Sequence, residues 1–151
     1  EEQIEVLRKL WTQPLVTHKT THHVIDNAGL NPLPRQRPIP LWFGGAAAPA
    51  LKRAARLGDG WMPGGRAPDD RVKASIEQIH GYLEEAGRDR QHFGMDPWIS
   101  IQRLSKDAWH QRVEAWGTLG ASHVAVNTMG AGYASPQAHI DAIRAFREVL
   151  P

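Results

Sequence analysis

The sequence contains no cysteine. Disulfides, thiolate nucleophiles and cysteine metal sites are therefore excluded, and a reducing cytoplasm is compatible with the chain. It also lacks any apolar run near the roughly 20 residues that a membrane span requires. No basic, then apolar, then small-residue opening reads as a signal peptide, so a cytoplasmic protein without membrane association is expected. Charge of one sign is scarce too: 18 Lys and Arg against 16 Asp and Glu leave a net +2. The basic residues are scattered rather than striped, which speaks against a nucleic-acid partner. An initiator Met is missing, since the chain opens Glu1-Glu2-Gln3, and a piece of something longer is expected. No Ser-His-Asp arrangement, phosphate-binding lysine loop or paired-carboxylate motif stands out, so the catalytic residues are left unassigned. What is present is ordinary for a folded domain: 151 residues, 41% hydrophobic and 23% charged. That is enough to bury a core.

Along the chain, residues 1–12 read as a helix with Ile4, Leu7 and Leu10 or Trp11 on one face, ending before Pro14. Residues 13–38 read as an extended surface connection, stiffened by Pro32, Pro34 and Pro38. From residue 39 to 151 the pattern becomes alternating short strands and helices, the whole forming a single partial domain. Ile39 to Phe43 is a strand that stops at Gly44-Gly45. The helix after it contains Pro49 and a small-residue face of Leu51, Ala54 and Ala55, and Gly58 ends it. Trp61-Met62 is a second strand, followed by a helix capped by Asp69 or Asp70 with Val72, Ile76, Ile79 and Leu83 inward. Trp98, Ile99, Ile101 and Leu104 mark the third strand. Ser105 or Asp107 caps the next helix, whose face is Trp109, Val113 and Trp116. His123 to Val126 is the fourth strand, and Ser135-Pro136 opens a last helix with Ile140, Ile143, Phe146 and Leu150 inward.

Four β-α units in series imply an α/β fold with parallel strands and right-handed crossovers. Four parallel strands alone leave two unpaired edges, whereas four more would close a barrel of eight. The count points to half a barrel.

The stretch Arg37-Pro38-Ile39-Pro40-Leu41-Trp42-Phe43-Gly44-Gly45, then Ala50 to Pro63 ending Gly58-Asp59-Gly60-Trp61-Met62-Pro63, closely resembles the luciferase-like monooxygenase family. Leu10-Trp11-Thr12, Ala86-Gly87-Arg88-Asp89 and Asn127-Thr128-Met129-Gly130-Ala131-Gly132 agree in order. The likeness is nearest to an actinobacterial branch associated with the deazaflavin coenzyme. It implies the C-terminal half, strands five to eight, of a TIM (β/α)8 barrel of the bacterial luciferase-like type. It further implies an oxidoreductase that uses deazaflavin coenzyme F-420 or FMN, with F-420 favoured by the branch alone. The half that carries most of the catalytic chemistry would lie outside this chain. The implied partners are a flavin-type cofactor, a small organic substrate, and a second copy or a separate half-barrel. A different class of reading is a non-catalytic half-barrel that covers its open edges by dimerising.

Gly44-Gly45-Ala46-Ala47 is the first candidate site. A strand delivers the chain there into a helix N-terminus, where glycine admits a ligand close to the backbone and free N–H groups favour phosphate. The resembling family often adds Ser or Thr here; this chain has alanines. The plainer alternative is a tight turn that needs glycine for steric reasons. Pro63 and Gly64 form the second candidate, near the cofactor edge by resemblance, against a simple turn; Asp59 and Trp61 read as turn and core. Arg66 follows and could reach an anionic cofactor tail. Asn127 and Thr128 form the third, lining a strand end where TIM barrels commonly bind phosphate, against a glycine-rich connection. His18, His22 and His23 crowd one segment, but its Thr-rich, proline-flanked context does not suit an i, i+4 zinc pair. A surface or interface strand is the expectation, and no metal site is assigned.

Overall fold

Proline sets where the parallel sheet begins. The first of the four strands is expected over Ile39 to Phe43, yet the ladder runs from Trp42 to Gly44. Pro38 and Pro40 lack a backbone N–H and restrict the residues before them, so pairing starts only beyond them. The computed structural model describes residues 1–65 and 67–150, and the chain forms two compact units, Glu1–Leu41 and Trp42–Pro151.

The first unit holds helix α1 (Glu2–Thr12) and an antiparallel hairpin of β1 (Val16–Lys19) and β2 (Val24–Ala28). The hairpin corrects the expectation of a plain connection over 13–38. Pro14 falls before it and Pro32, Pro34 and Pro38 after it, leaving every residue of both strands with a backbone N–H, and Val16 and His18 alternate inward. In α1 the buried residue is Val6, while Leu7 stands 38% exposed. The expected apolar face is therefore turned about a third of a revolution, because α1 buries the side that carries Val6.

In the second unit four strands pair in parallel, in chain order: β3 (Trp42–Gly44), β4 (Gly60–Gly64), β5 (Gly94–Ser100) and β6 (Ala125–Asn127). The helices between and after them are α2 (Ala48–Leu57), α3 (Asp70–Glu85), α4 (Lys106–Thr118) and α5 (Pro136–Arg147). The other three strands differ from expectation as well, and β4 takes in Gly60 before Trp61-Met62 and Pro63 and Gly64 after it. β5 starts four residues early because Pro97 sits beside a register irregularity between Trp61 and Gly64, a place where a sheet tolerates a missing donor. β6 starts late because the Ser122 and His123 N–H groups both donate to the Met95 carbonyl at 3.1 Å, before the ladder begins.

Register sorts the sheet into two faces. Phe43, Trp61 and Met95 are cross-strand neighbours, and the last two join Ile99 in the core built with the helices. That core takes Leu51 and Ala55 from α2, Val72, Ile76, Ile79 and Leu83 from α3, and Trp109, Val113 and Trp116 from α4, as expected. Each large side chain buried there contributes about 1.5–3 kcal/mol. The other face carries Trp42, Gly60 and Gly94 in one row and Asp96, Trp98 and Ser100 further along β5. The helices of this unit build the core on the first face, whereas on the second Met62 and Trp98 are 40% and 37% exposed.

In α5 the buried residues are Ala142 and Phe146, with Phe146 against Trp109 at a centroid distance of 5.9 Å. Ile140, Ile143 and Leu150 are 44%, 46% and 41% exposed, which corrects their expected inward placement. A small residue at 142 lets the helix sit close enough to seat the Phe146 ring, and that contact fixes its rotation.

The helix starts follow the sequence. Asp69 accepts from the Val72 N–H at 3.0 Å, and Ser105 and Ser135 accept from the Ala108 and Ala138 N–H groups at 3.2 Å. Asp69→Ala should lower unfolding free energy by about 1 kcal/mol, visible as a lower urea midpoint at unchanged m-value.

Candidate functional site

Parallel strands deliver their C-terminal ends to one edge of the sheet. The turns after β3, β4 and β6 therefore share that edge, and with them the residue groups 44–47, 63–64 and 127–128. The β5–α4 turn joins them with Gln102 and Arg103, both exposed. Arg103 holds a left-handed backbone at φ 57°. Arg66 lies outside the described residues.

The β3–α2 turn is built from backbone alone. Gly45 has φ 97°, a conformation that glycine adopts without strain. A Cβ at Gly44 would meet nothing nearer than the Met62 carbonyl oxygen at 3.9 Å, so the space beside it is open. Helix α2 begins with Ala47 in the capping position, no side-chain cap bond and no acidic residue in its first turn. Its positive dipole end is thus left without a carboxylate or hydroxyl partner. The turn is tethered from below: the buried Trp61 indole Nε1–H donates to the Gly45 carbonyl at 2.7 Å. Trp61 is core, as read from the sequence, and it also positions the turn.

Pro63 is buried and Gly64 partly so, with Gly64 at φ 77°. Beyond them a Cβ on Gly65 would lie 2.7 Å from the Trp98 ring, so that indole packs directly over the turn. In the β6–α5 turn the polar side chains are engaged locally. Asn127 Oδ1 accepts from the Met129 N–H at 2.9 Å, and Thr128 Oγ1 lies 2.7 Å from His139 Nδ1. The Tyr133 ring meets His139 edge-on at 5.2 Å.

Sequence reasoning missed Asp96, Trp98 and His139. Starting β5 at Gly94 would have placed Asp96, Trp98 and Ser100 on one face by period two, but Pro97 reads as a boundary. Asp96 Oδ1 is buried without a hydrogen-bond partner, on the same side of β5 as Trp98. His139 carries no sequence signal, because only the fold brings it to Thr128. Asp59 and Arg88 have a scaffold role: Arg88 donates to the Ala55 carbonyl at 2.6 Å and approaches Asp59 at 4.0 Å. The conspicuous Asp-Gly-Trp and Ala-Gly-Arg-Asp blocks thus lock α2, α3 and β4 together.

The three histidines of the first unit do not converge. His18 Nδ1 lies 3.2 Å from Lys9 Nζ, His23 Nδ1 is 2.8 Å from Glu2 Oε1, and His22 is exposed. Thr20 Oγ1 also donates to Glu2 Oε1. Among the described residues no three metal-capable side chains come together. None of the described helices is long and apolar enough to cross a membrane.

Known proteins are similar to this chain in sequence and in fold. An uncharacterised protein of Mycobacterium tuberculosis is 41% identical over 90 residues, covering 58% of this chain and 30% of its own length. An FMNH(2)-dependent dimethylsulfone monooxygenase of Pseudomonas fluorescens is 29% identical over 142 residues, or 91% of this chain and 38% of that protein. The matches thus span about a third of the relatives' lengths. Among solved structures, a monooxygenase from Streptomyces bottropensis superposes with a TM-score of 0.70 at 18% identity, over 99% of this chain and 59% of the other. An F420-dependent secondary alcohol dehydrogenase, solved with an F420-acetone adduct, gives 0.59 at 22% identity, over 98% and 52%. The sequence profile of the luciferase-like monooxygenases matches residues 1–149, and the chain belongs to that family.

Proposed function

We propose that this chain is the C-terminal half of a (β/α)8 barrel, and that the intact barrel is a flavin- or deazaflavin-dependent oxidoreductase acting on a small organic substrate. The observation that carries this reading is the two-faced sheet. One face is packed by the helices of the second unit; the other carries none of them, and β3 and β6 are the edge strands of the sheet. Closure by four further strands would turn that second face into a barrel interior and gather the strand-end turns around its mouth.

The residues at that edge fit a phosphate-bearing cofactor. Open space at Gly44, the left-handed Gly45 and the uncapped α2 N-terminus favour an anion held by backbone N–H groups of residues 45–48. Pro63, Gly64 and the exposed Trp98 indole offer a flat apolar wall for a ring system. Thr128, oriented by His139, and Asn127 border the opposite side of the mouth. When bound, such a cofactor supplies the hydride or oxygen chemistry; this half of the barrel binds and orients it. Family relatives include both FMN- and F420-dependent proteins, and F-420 is favoured only by the branch that the sequence resembles.

Fluorescence titration of the purified chain with FMN and with F-420 tests this reading. Saturable binding at micromolar concentration is expected for one of them. Gly45→Val should weaken it at least tenfold with the far-UV spectrum unchanged, because a branched side chain strains φ 97° and fills the cradle. No binding, together with a stable dimer by light scattering, would favour the non-catalytic half-barrel and overturn a cofactor role for these turns.

A further inference from the structure

The sheet's helix-packed side contains a cavity of about 220 Å³ whose lining includes no residue of the candidate strand-end turns. It opens near the N-terminal ends of β4 and β5, floored by Trp61, Ile76, Phe93 and Met95 and rimmed by His80 and Arg90. The floor is apolar, with Trp61, Ile76 and Met95 buried and Phe93 partly so, whereas the rim carries the Arg90 cation. Of the acids near it in sequence, Asp89 pairs with His92 and Glu85 with Lys52, each at 3.4 Å. Among the described residues Arg90 makes no ion pair. Burial, and after it the Arg90 charge, hold the His80 imidazole below its ordinary pKa against the opposing pull of Glu77. An anion at the rim would relieve that repulsion.

We propose that this cavity binds a small carboxylic acid carrying one ring, with the ring on the apolar floor and the carboxylate at Arg90. Its occupancy would be transmitted through Trp61 to the Gly45 turn. Size sets the ligand class: a cavity of about 150 Å³ accepts benzene, so this one has room for a ring and a short acid chain. Charge sets the acid, since a guanidinium pairs with carboxylate in a fixed, two-pronged geometry. The coupling follows from one side chain doing two things. Trp61 forms part of the cavity wall, and its Nε1–H holds the Gly45 carbonyl. A ligand that shifts the indole must alter that hydrogen bond, and with it the backbone before α2. The inference does not depend on the cofactor reading, because binding and its transmission are both measured on the protein without cofactor.

The probes are 3-phenylpropanoate and its uncharged amide, titrated into the nitrogen-15-labelled full chain at pH 7 while proton–nitrogen correlation spectra are recorded. Saturable movement of the Trp61 indole signal and of the Gly45 and Ala46 amides is expected for the acid, with at least tenfold weaker binding for the amide. Arg90→Gln, at an exposed position, should lose about tenfold in affinity, and Leu119→Trp should fill the cavity and abolish binding. No saturable Trp61 response, equal affinity for acid and amide, or unchanged binding by Arg90→Gln would each overturn the site. A Trp61 response with Gly45 and Ala46 unmoved would overturn the coupling. Should Leu119→Trp fail to fold, Arg90→Gln and the amide still decide the matter.

Discussion

Trp61→Ala is expected to lower the unfolding free energy by about 3–5 kcal/mol, the upper range for a single core truncation. The indole is 1% exposed and packs in the main core with α2, α3 and β5. Its loss removes the buried surface and leaves a void that a packed core refills only in part. The bond to Gly45 adds about 0.5–1.5 kcal/mol, because the carbonyl loses its donor. Trp61→Phe separates the two effects: it keeps a ring in place and removes the donor, so its cost should be clearly smaller. Urea unfolding at constant m-value measures both. Against a total stability of about 5–15 kcal/mol for a domain, the alanine variant should be close to unfolding at 37 °C. An alanine variant that lost under 1 kcal/mol would mean that Trp61 does not anchor this core.

Gly94→Val should cost about 1–3 kcal/mol, an overpacking penalty on the opposite face of the same sheet. Trp42, Gly60 and Gly94 are consecutive cross-strand neighbours, and the Trp42 ring lies across both glycines. A Cβ on either glycine would overlap that ring. At Gly94 it would also press on Ser122 Oγ at 3.0 Å, which accepts the Met95 N–H at 2.9 Å. The rival explanation is that glycine is needed for backbone reasons, but neither position has a positive φ. A double-mutant cycle distinguishes the two. With Trp42→Ala in the background the ring is gone, so Gly94→Val should lose most of its penalty, giving a coupling of about 1 kcal/mol or more. Additive costs would show that Trp42 is not the obstacle.

The helices of the second unit were legible because each carries its own instructions. Asp69, Ser105 and Ser135 stop the chain from fraying, and the Val72–Ile76–Ile79–Leu83 row marks one side for burial. The strands were harder. Only 3 residues pair in β3 and in β6, too few for a period to show. Pro97 hid the first half of β5, since a proline inside a central strand needs a break in the neighbouring register, and that break lies in the pairing with β4. The direction of α5 escaped for a similar reason: three apolar residues suggest one face, and a single ring contact between Phe146 and Trp109 selects another. The candidate turns were legible as glycine signatures. What was not legible is who holds them: the Trp61 tether to Gly45 and the Trp98 lid over Gly65 join residues from different β-α units, and the His139 contact to Thr128 joins a strand-end turn to the helix beyond it.

Strand order that repeats chain order has an architectural consequence. Every ladder in the second unit joins a strand to the one that follows it in the chain, so no strand threads between two others. Such a sheet grows by concatenation: a β-α unit appended at β3 or β6 would extend it without breaking any existing ladder. Loop closure is also paid once per unit rather than across the whole chain, which favours rapid assembly from local pieces. A scaffold of this kind can be cut between units and rejoined to a new neighbour, so recombination has an easy seam at each end of the sheet.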